Sequence, residues 1–188
     1  IVQSIEDNNK QNFNKHMSDM IRHTVTQFIK STMYSTIPGS SKKDQLITNT
    51  IIFSNLSNII SLMGGSLKKE QVVSGLMADL FSQLYMGYSV LYNKKKYKLN
   101  DKMYDICLSE LNNEYRHTFL TLIEYVPNHL KMPIILSCRT PKKNIISVND
   151  MEYMSTIFWK NNRVKHYIED QIYTSDNILE KIKYAMKE

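Results

Sequence analysis

Apolar side chains recur at steps of three and four along most of this chain. Phe13, Met17, Met20, Ile21, Val25, Phe28 and Ile29 form one such stripe over about 10–34, the spacing that gathers side chains on one face of a helix. Pro38, Gly39 and Ser40 close it. A second stripe, over about 44–63, consists of Leu46, Ile47, Ile51, Phe53, Leu56, Ile59, Ile60 and Met63. Ser41 with Asp44 three residues on gives it a capping-box start, and Gly64 and Gly65 offer the positive φ that closes a last turn. The third and longest run spans about 67–93 after Ser66 as N-cap, and carries Leu67, Val72, Val73, Leu76, Met77, Leu80, Phe81, Leu84, Tyr88 and Leu91. Lys94, Lys95 and Lys96 follow it, where cations offset the negative end of a helix dipole without needing any other partner. A fourth helix is predicted over about 101–126, with Met103, Ile106, Cys107, Leu111, Tyr115, Phe119, Leu122 and Val126 ahead of Pro127.

Four amphipathic helices on short links bury their stripes most simply against one another. The expectation is an all-α fold: an antiparallel four-helix bundle over 1–128, with Phe28, Leu56, Ile60, Leu76, Leu80, Leu84 and Leu122 in its core. Short C-terminal helices of a tail, 129–188, pack on it. Within the tail an apolar stretch is broken by Pro133 and Pro141. Asn149 and Glu152 have the capping-box spacing for a small helix containing Phe158 and Trp159, and a last helix runs from about Ser175 to the end.

At 188 residues and 42% hydrophobic content, the chain is the size of one domain or two small ones. Five glycines and four prolines are too few for the turns of a sandwich or barrel. No run of 18 apolar residues occurs, and the first residues lack the basic and apolar regions of a secretory signal, so neither a membrane span nor a signal is expected. Ile1 in place of methionine suggests part of something longer, with function residing elsewhere. The net charge of +6 comes from 20 lysines and only four arginines, Arg22, Arg116, Arg139 and Arg163. Nucleic-acid recognition favours arginine forks, so no nucleic-acid partner is expected. Cys107 and Cys138, without a C-x-x-C, suit a reducing compartment.

Chemistry is sparse. Glu114 and His117 form one E-x-x-H on a helix, where a di-iron bundle needs two. His16 and His23 flank Asp19 but lack further zinc ligands. Glu110 and Glu114 suit a solvated helix face better than an acid/base pair. There is no phosphate-binding glycine loop and no nucleophile elbow, so no catalytic, cofactor-binding or metal residue is assigned. One segment stands out: Met132 to Cys138, with Lys131, Arg139, Lys142 and Lys143 around it. Lys131, Ile134, Ile135, Leu136 and Arg139 are its candidate contact residues. An apolar wedge rimmed by cations can dip into an anionic membrane boundary or meet a partner; folded onto the bundle, it is a buried connection.

Several landmarks occur together in order: Phe13-Asn14-Lys15-His16, Gly64-Gly65-Ser66-Leu67-Lys68 with Glu70, Asp79-Leu80-Phe81-Ser82-Gln83-Leu84-Tyr85, and Val126-Pro127-Asn128. Over about 12–140 this set resembles the C-terminal region of the bacterial-type long-chain acyl-CoA dehydrogenases; the resemblance weakens after 145. The resemblance implies an accessory helical domain of an FAD-dependent enzyme of fatty-acid β-oxidation. Flavin, acyl-CoA and the proton-abstracting glutamate would belong to upstream domains, and Glu6 is no substitute for that base. It further implies association with those catalytic domains, a homodimer, and a cytoplasmic location, peripheral at the inner membrane (mitochondrial in a eukaryote). The competing expectation is a stand-alone structural or assembly subunit derived from the same family.

Overall fold

The structure, a computed structural model, describes residues 10–36, 41–97 and 100–160. Among them are six α-helices: α1 (Lys10–Thr36), α2 (Lys42–Ile60), α3 (Gln71–Tyr97), α4 (Asp101–Tyr125), α5 (Asn128–Ser137) and α6 (Val148–Lys160). A 3-10 helix, Ser61–Lys68, joins α2 to α3, and no strand occurs among the described residues. The all-α helical bundle predicted from the stripes is the fold observed. The chain divides into two compact units, Ile1–Ile145 and Ile146–Glu188; of the second, α6 is described, and the helix expected from Ser175 lies outside the described residues.

The caps explain most of the boundaries. Ser41 Oγ accepts from the Asp44 amide while Asp44 Oδ2 accepts from the Ser41 amide, the full capping box that starts α2. Asn100 Oδ1 accepts from the amides of Lys102 and Met103 to start α4. The second and third helices differ from expectation at their junction. Gly64 takes φ 54° and ψ −130° inside the 3-10 segment, so the chain turns there, and Ser66 and Leu67 lie in that segment; α3 begins only at Gln71. The tail also differs: α6 is capped by Ser147 with Asp150, not by Asn149 with Glu152. A short hydroxyl and a short carboxylate three residues apart close the reciprocal pair, and the helix starts sooner.

α2 is the hub, touching α1, α3, α4, α5 and the 3-10 helix. Leu46, Ile52, Leu56, Ile59 and Ile60 are buried along it. Lys42–Lys68 is long and apolar enough to cross a membrane by length and composition alone, and part of it is buried in the unit. α3 and α4 form a long antiparallel pair. Lys94 lies over Tyr104 near the link, and Gln83 donates to Thr118 three turns further in. Gly87 brings α3 close to α2, since a Cβ there would sit 2.6 Å from Leu46 Cδ1.

Of the core residues predicted, Leu56, Ile60, Leu80, Leu84 and Leu122 are buried. Leu76 is half-buried against the core, and Phe28 is also half-buried. The reason for Phe28 is the placement of α1, which lies on the outside of α2 with only a minor contact to α5. One face of α1 is covered by α2. The adjoining edge, Ile21, Val25, Ile29 and Met33, stays more than half exposed.

Candidate functional site

Pro127 caps α5, and the chain carries Pro133 within the helix, where its ring faces outward. A ten-residue helix forms where Pro133 and Pro141 predict a broken segment. Proline removes only its own amide from the ladder, and the exposed side leaves its ring room. The helix splits the candidate residues between two environments. Ile134 is fully buried against the bundle, and Cys138 is buried behind it with Sγ 3.9 Å from the Ile52 carbonyl. Asn55 on α2 donates to the Ser137 carbonyl and holds the end of α5 down. Ile135 and Leu136 project outward with Met132, each more than half exposed. Lys131 Nζ donates to the Glu124 carbonyl at 3.2 Å, and Arg139 is half-buried.

Beyond Cys138 an extended strap, about residues 138–145, crosses from α5 to α4. Arg116 Nη1 donates to the Pro141 carbonyl at 2.7 Å. The Asn113 side chain accepts from the Asn144 amide and donates to the Asn144 carbonyl, a two-way clasp between a helix and an extended chain. Lys42 of α2 donates to the Asn144 side chain. Beneath the strap, Asn49 Nδ2 donates to Asn112 Oδ1 at 2.8 Å, and Tyr115 donates to the Asn49 carbonyl. This polar seam is almost wholly internal: Asn49, Asn112 and Asn144 are all buried. Spacing could have flagged it, since Lys42, Gln45 and Asn49 share one face of α2, but polar residues inside an apolar pattern read as surface.

Four buried or half-buried groups are held in their protonated forms. Burial pushes the Cys138 thiol up to about 11, partly offset by its contact with Ser137, so at neutral pH it is protonated and a poor nucleophile. Burial likewise raises Cys107 and Tyr104, and raises Tyr115 strongly. Lys94 is raised chiefly by its hydrogen bond to Asp101, an ion pair of 2.5 Å, so this lysine has a partner beyond the helix dipole.

Glu110, Glu114 and His117 lie on the exposed face of α4. His16 is exposed on α1, and both ring nitrogens of His23 are engaged, by Asn58 and Gln27. No three His, Cys, Asp or Glu side chains converge among the described residues. Tyr85, Tyr88, Ser89, Tyr92 and Asn93 line a shallow depression of about 390 Å³ along α3 alone. What the unit offers chemically is a tight bundle, an exposed apolar ridge on α5 and cations beside it.

A family model described as acyl-CoA dehydrogenase, C-terminal, bacterial type, matches residues 1–130. The match covers α1 to the first turn of α5. No curated protein and no solved structure matches the chain.

Proposed function

This chain belongs to the bacterial-type acyl-CoA dehydrogenase C-terminal family, and on that premise we propose that it is the accessory helical domain of an FAD-dependent long-chain acyl-CoA dehydrogenase of fatty-acid β-oxidation. In this reading the catalytic domains bind flavin and acyl-CoA and carry out α,β-dehydrogenation. The present chain contributes to folding, dimerisation or docking at a membrane face, and its place is cytoplasmic, peripheral at the inner membrane (mitochondrial in a eukaryote). The observation that carries the reading is the family match across the bundle.

The depression on α3 does not fit a flavin. An isoalloxazine ring and a pyrophosphate call for an enclosed cleft with convergent donors, whereas the α3 depression is shallow and lined by one helix. In this reading the flavin belongs to the other domains. The test is purification of the chain from flavin-replete cells followed by gel filtration. No flavin band should travel with it alone, and added catalytic domains should bring both flavin and the chain into one peak. A stoichiometric flavin band on the isolated chain would overturn the division of labour.

A further inference from the structure

α3 carries a second stripe beside the one it buries. Val73, Leu80 and Leu84 face the core, whereas Phe81, Tyr85 and Tyr92 are more than half exposed and Tyr88 is 41% exposed. Their steps of four, three and four are the heptad spacing by which one helix meets another along its length. The same spacing continues back into Ala78 and Ser74, both exposed, so the stripe is large in its C-terminal half and small in its N-terminal half. On its flank Gly75, Ser82 and Ser89 recur every seven residues, and none of these positions is charged. Small side chains there let a second backbone approach closely. Two of the aromatics are held from beneath: Tyr88 Oη lies 3.0 Å from Thr50 Oγ1, and Phe81 packs on Phe53 with ring centroids 6.0 Å apart. Their rings are therefore ordered before any partner arrives.

The taper selects the partner. An antiparallel copy of the same helix sets Tyr92 against Ser74, Tyr88 against Ala78 and Tyr85 against Phe81, and symmetry repeats each pairing. Large side chains then meet small ones at both ends. The depression of about 390 Å³ walled by Tyr85, Tyr88 and Tyr92 lies where the small end of the other helix arrives. A parallel copy would instead crowd the aromatics together and leave the small ends facing across a gap. The antiparallel register also brings Lys96 opposite Glu70, opposite charges at each end of the pair. At about 200 Å² for a whole aromatic side chain, the four expose roughly 450 Å² per copy. Two copies bury about 900 Å² from these rings alone, and the small flank carries the total past the roughly 1,000 Å² of a specific interface.

We propose that the exposed stripe of α3 pairs antiparallel with that of a second copy of this chain, its tyrosines anchored against the small end of the facing helix. This rests on the dimerisation part of the function proposed above and gives it a surface and a register.

The test is sedimentation of the 188-residue chain over a dilution series, where a dimer that dissociates on dilution is expected. Tyr85→Glu/Tyr92→Glu should keep the parent's thermal melt in circular dichroism and weaken the dimer at least about thirtyfold, as loss of an aromatic anchor does. Ala78→Tyr probes the taper from its small end. The new side chain enters solvent in the monomer, and it should weaken the dimer by a similar factor. Crosslinking reads the register, with the parent chain as control for Cys107 and Cys138. Ser82→Cys lies near the two-fold axis and should crosslink copy to copy, whereas Ser74→Cys, about 27 Å along the axis from its own symmetry mate, should not. An unchanged dimer from Ala78→Tyr, crosslinking at Ser74→Cys, or none at Ser82→Cys overturns the proposal. So do tyrosine variants that still dimerise but lose the flavin-bearing domains, since the stripe then belongs to those domains. A chain that stays monomeric at its highest soluble concentration yet joins the flavin-bearing domains overturns this inference and leaves the accessory-domain reading intact. A dimer with the expected variant responses that never joins those domains supports the stripe and overturns that reading.

Discussion

α1 and α2 both carry apolar stripes, α2 being the more apolar around its whole girth, and their fates differ. α2 is enclosed by α1, α3, α4 and α5, whereas α1 has one principal neighbour and keeps an edge of isoleucine, valine and methionine in solvent. Periodicity reports which face of a helix is apolar; it does not report how many neighbours arrive to cover it. α5 shows the same division within two adjacent residues, because Ile134 and Ile135 look alike in sequence and point about 100° apart, one into the bundle and the other into solvent.

That contrast can be broken most sharply at α5. Ile134→Asp places a carboxylate where the side chain is fully buried and should lower the urea midpoint sharply, because an unpaired buried charge costs several kcal/mol, about half of typical domain stability. Ile135→Asp should stay within about 0.5 kcal/mol of the parent in urea denaturation; equal damage from both would mean that α5 does not sit as described.

Next in size is the hub. Leu56→Ala should cost about 2–5 kcal/mol by the cavity it leaves, while Val25→Ala on α1 should cost under about 0.5 kcal/mol. A large loss at Val25 would show that something covers that edge.

Alkaline pH separates the buried groups from the exposed ones. In the unfolded chain the Cys138 thiol ionises near its ordinary value, but the folded chain holds it protonated to about 11. Stability is therefore fully present below pH 9 and falls as pH rises toward 11, at up to about 1.4 kcal/mol per pH unit from this group. Tyr115, raised in the same direction, adds to the loss at the upper end. Cys138→Ala should flatten the first part of the profile in denaturation series at rising pH, and an unchanged slope would show that the thiol ionises freely.

A further comparison concerns the polar seam. Asn112→Ala strands the Asn49 amide and should cost about 1–3 kcal/mol, whereas Asn49→Leu/Asn112→Leu should recover part of that loss, since removing both partners leaves nothing unsatisfied. A double variant less stable than the single one would mean that the pair fixes helix register.

Much of the bundle was legible because its signals are local. Stripes, the Ser41–Asp44 box and the glycine at 64 each act within one or two turns, and they placed four long helices. The junction of Ser66 and the start of α3 was misjudged because a 3-10 segment uses the same serine and leucine that a helix start would. Pro133 was read as a breaker, which holds only where the lost amide has no compensation. The candidate site was legible in part: the α5 cations and apolar residues were marked, but the division between Ile134 and Ile135 depends on α2, and the edge of α1 became visible only once its neighbours were counted. Phe28 was assigned to the core for that same reason.

The strap over α4 has a consequence for the order in which the unit assembles. Most helix pairs in it join segments adjacent in sequence, and such contacts close small loops and form early. The strap instead brings Asn144 back to Lys42, 102 residues away, just after the end of α5 has brought Ser137 back to Asn55, 82 away. Its binding surface does not exist until α2 and α4 are already paired, so it closes late. By the same logic it opens first, and amide exchange at Asn144 should reveal a partly open state in which the bundle is still protected while Cys138 is released to solvent.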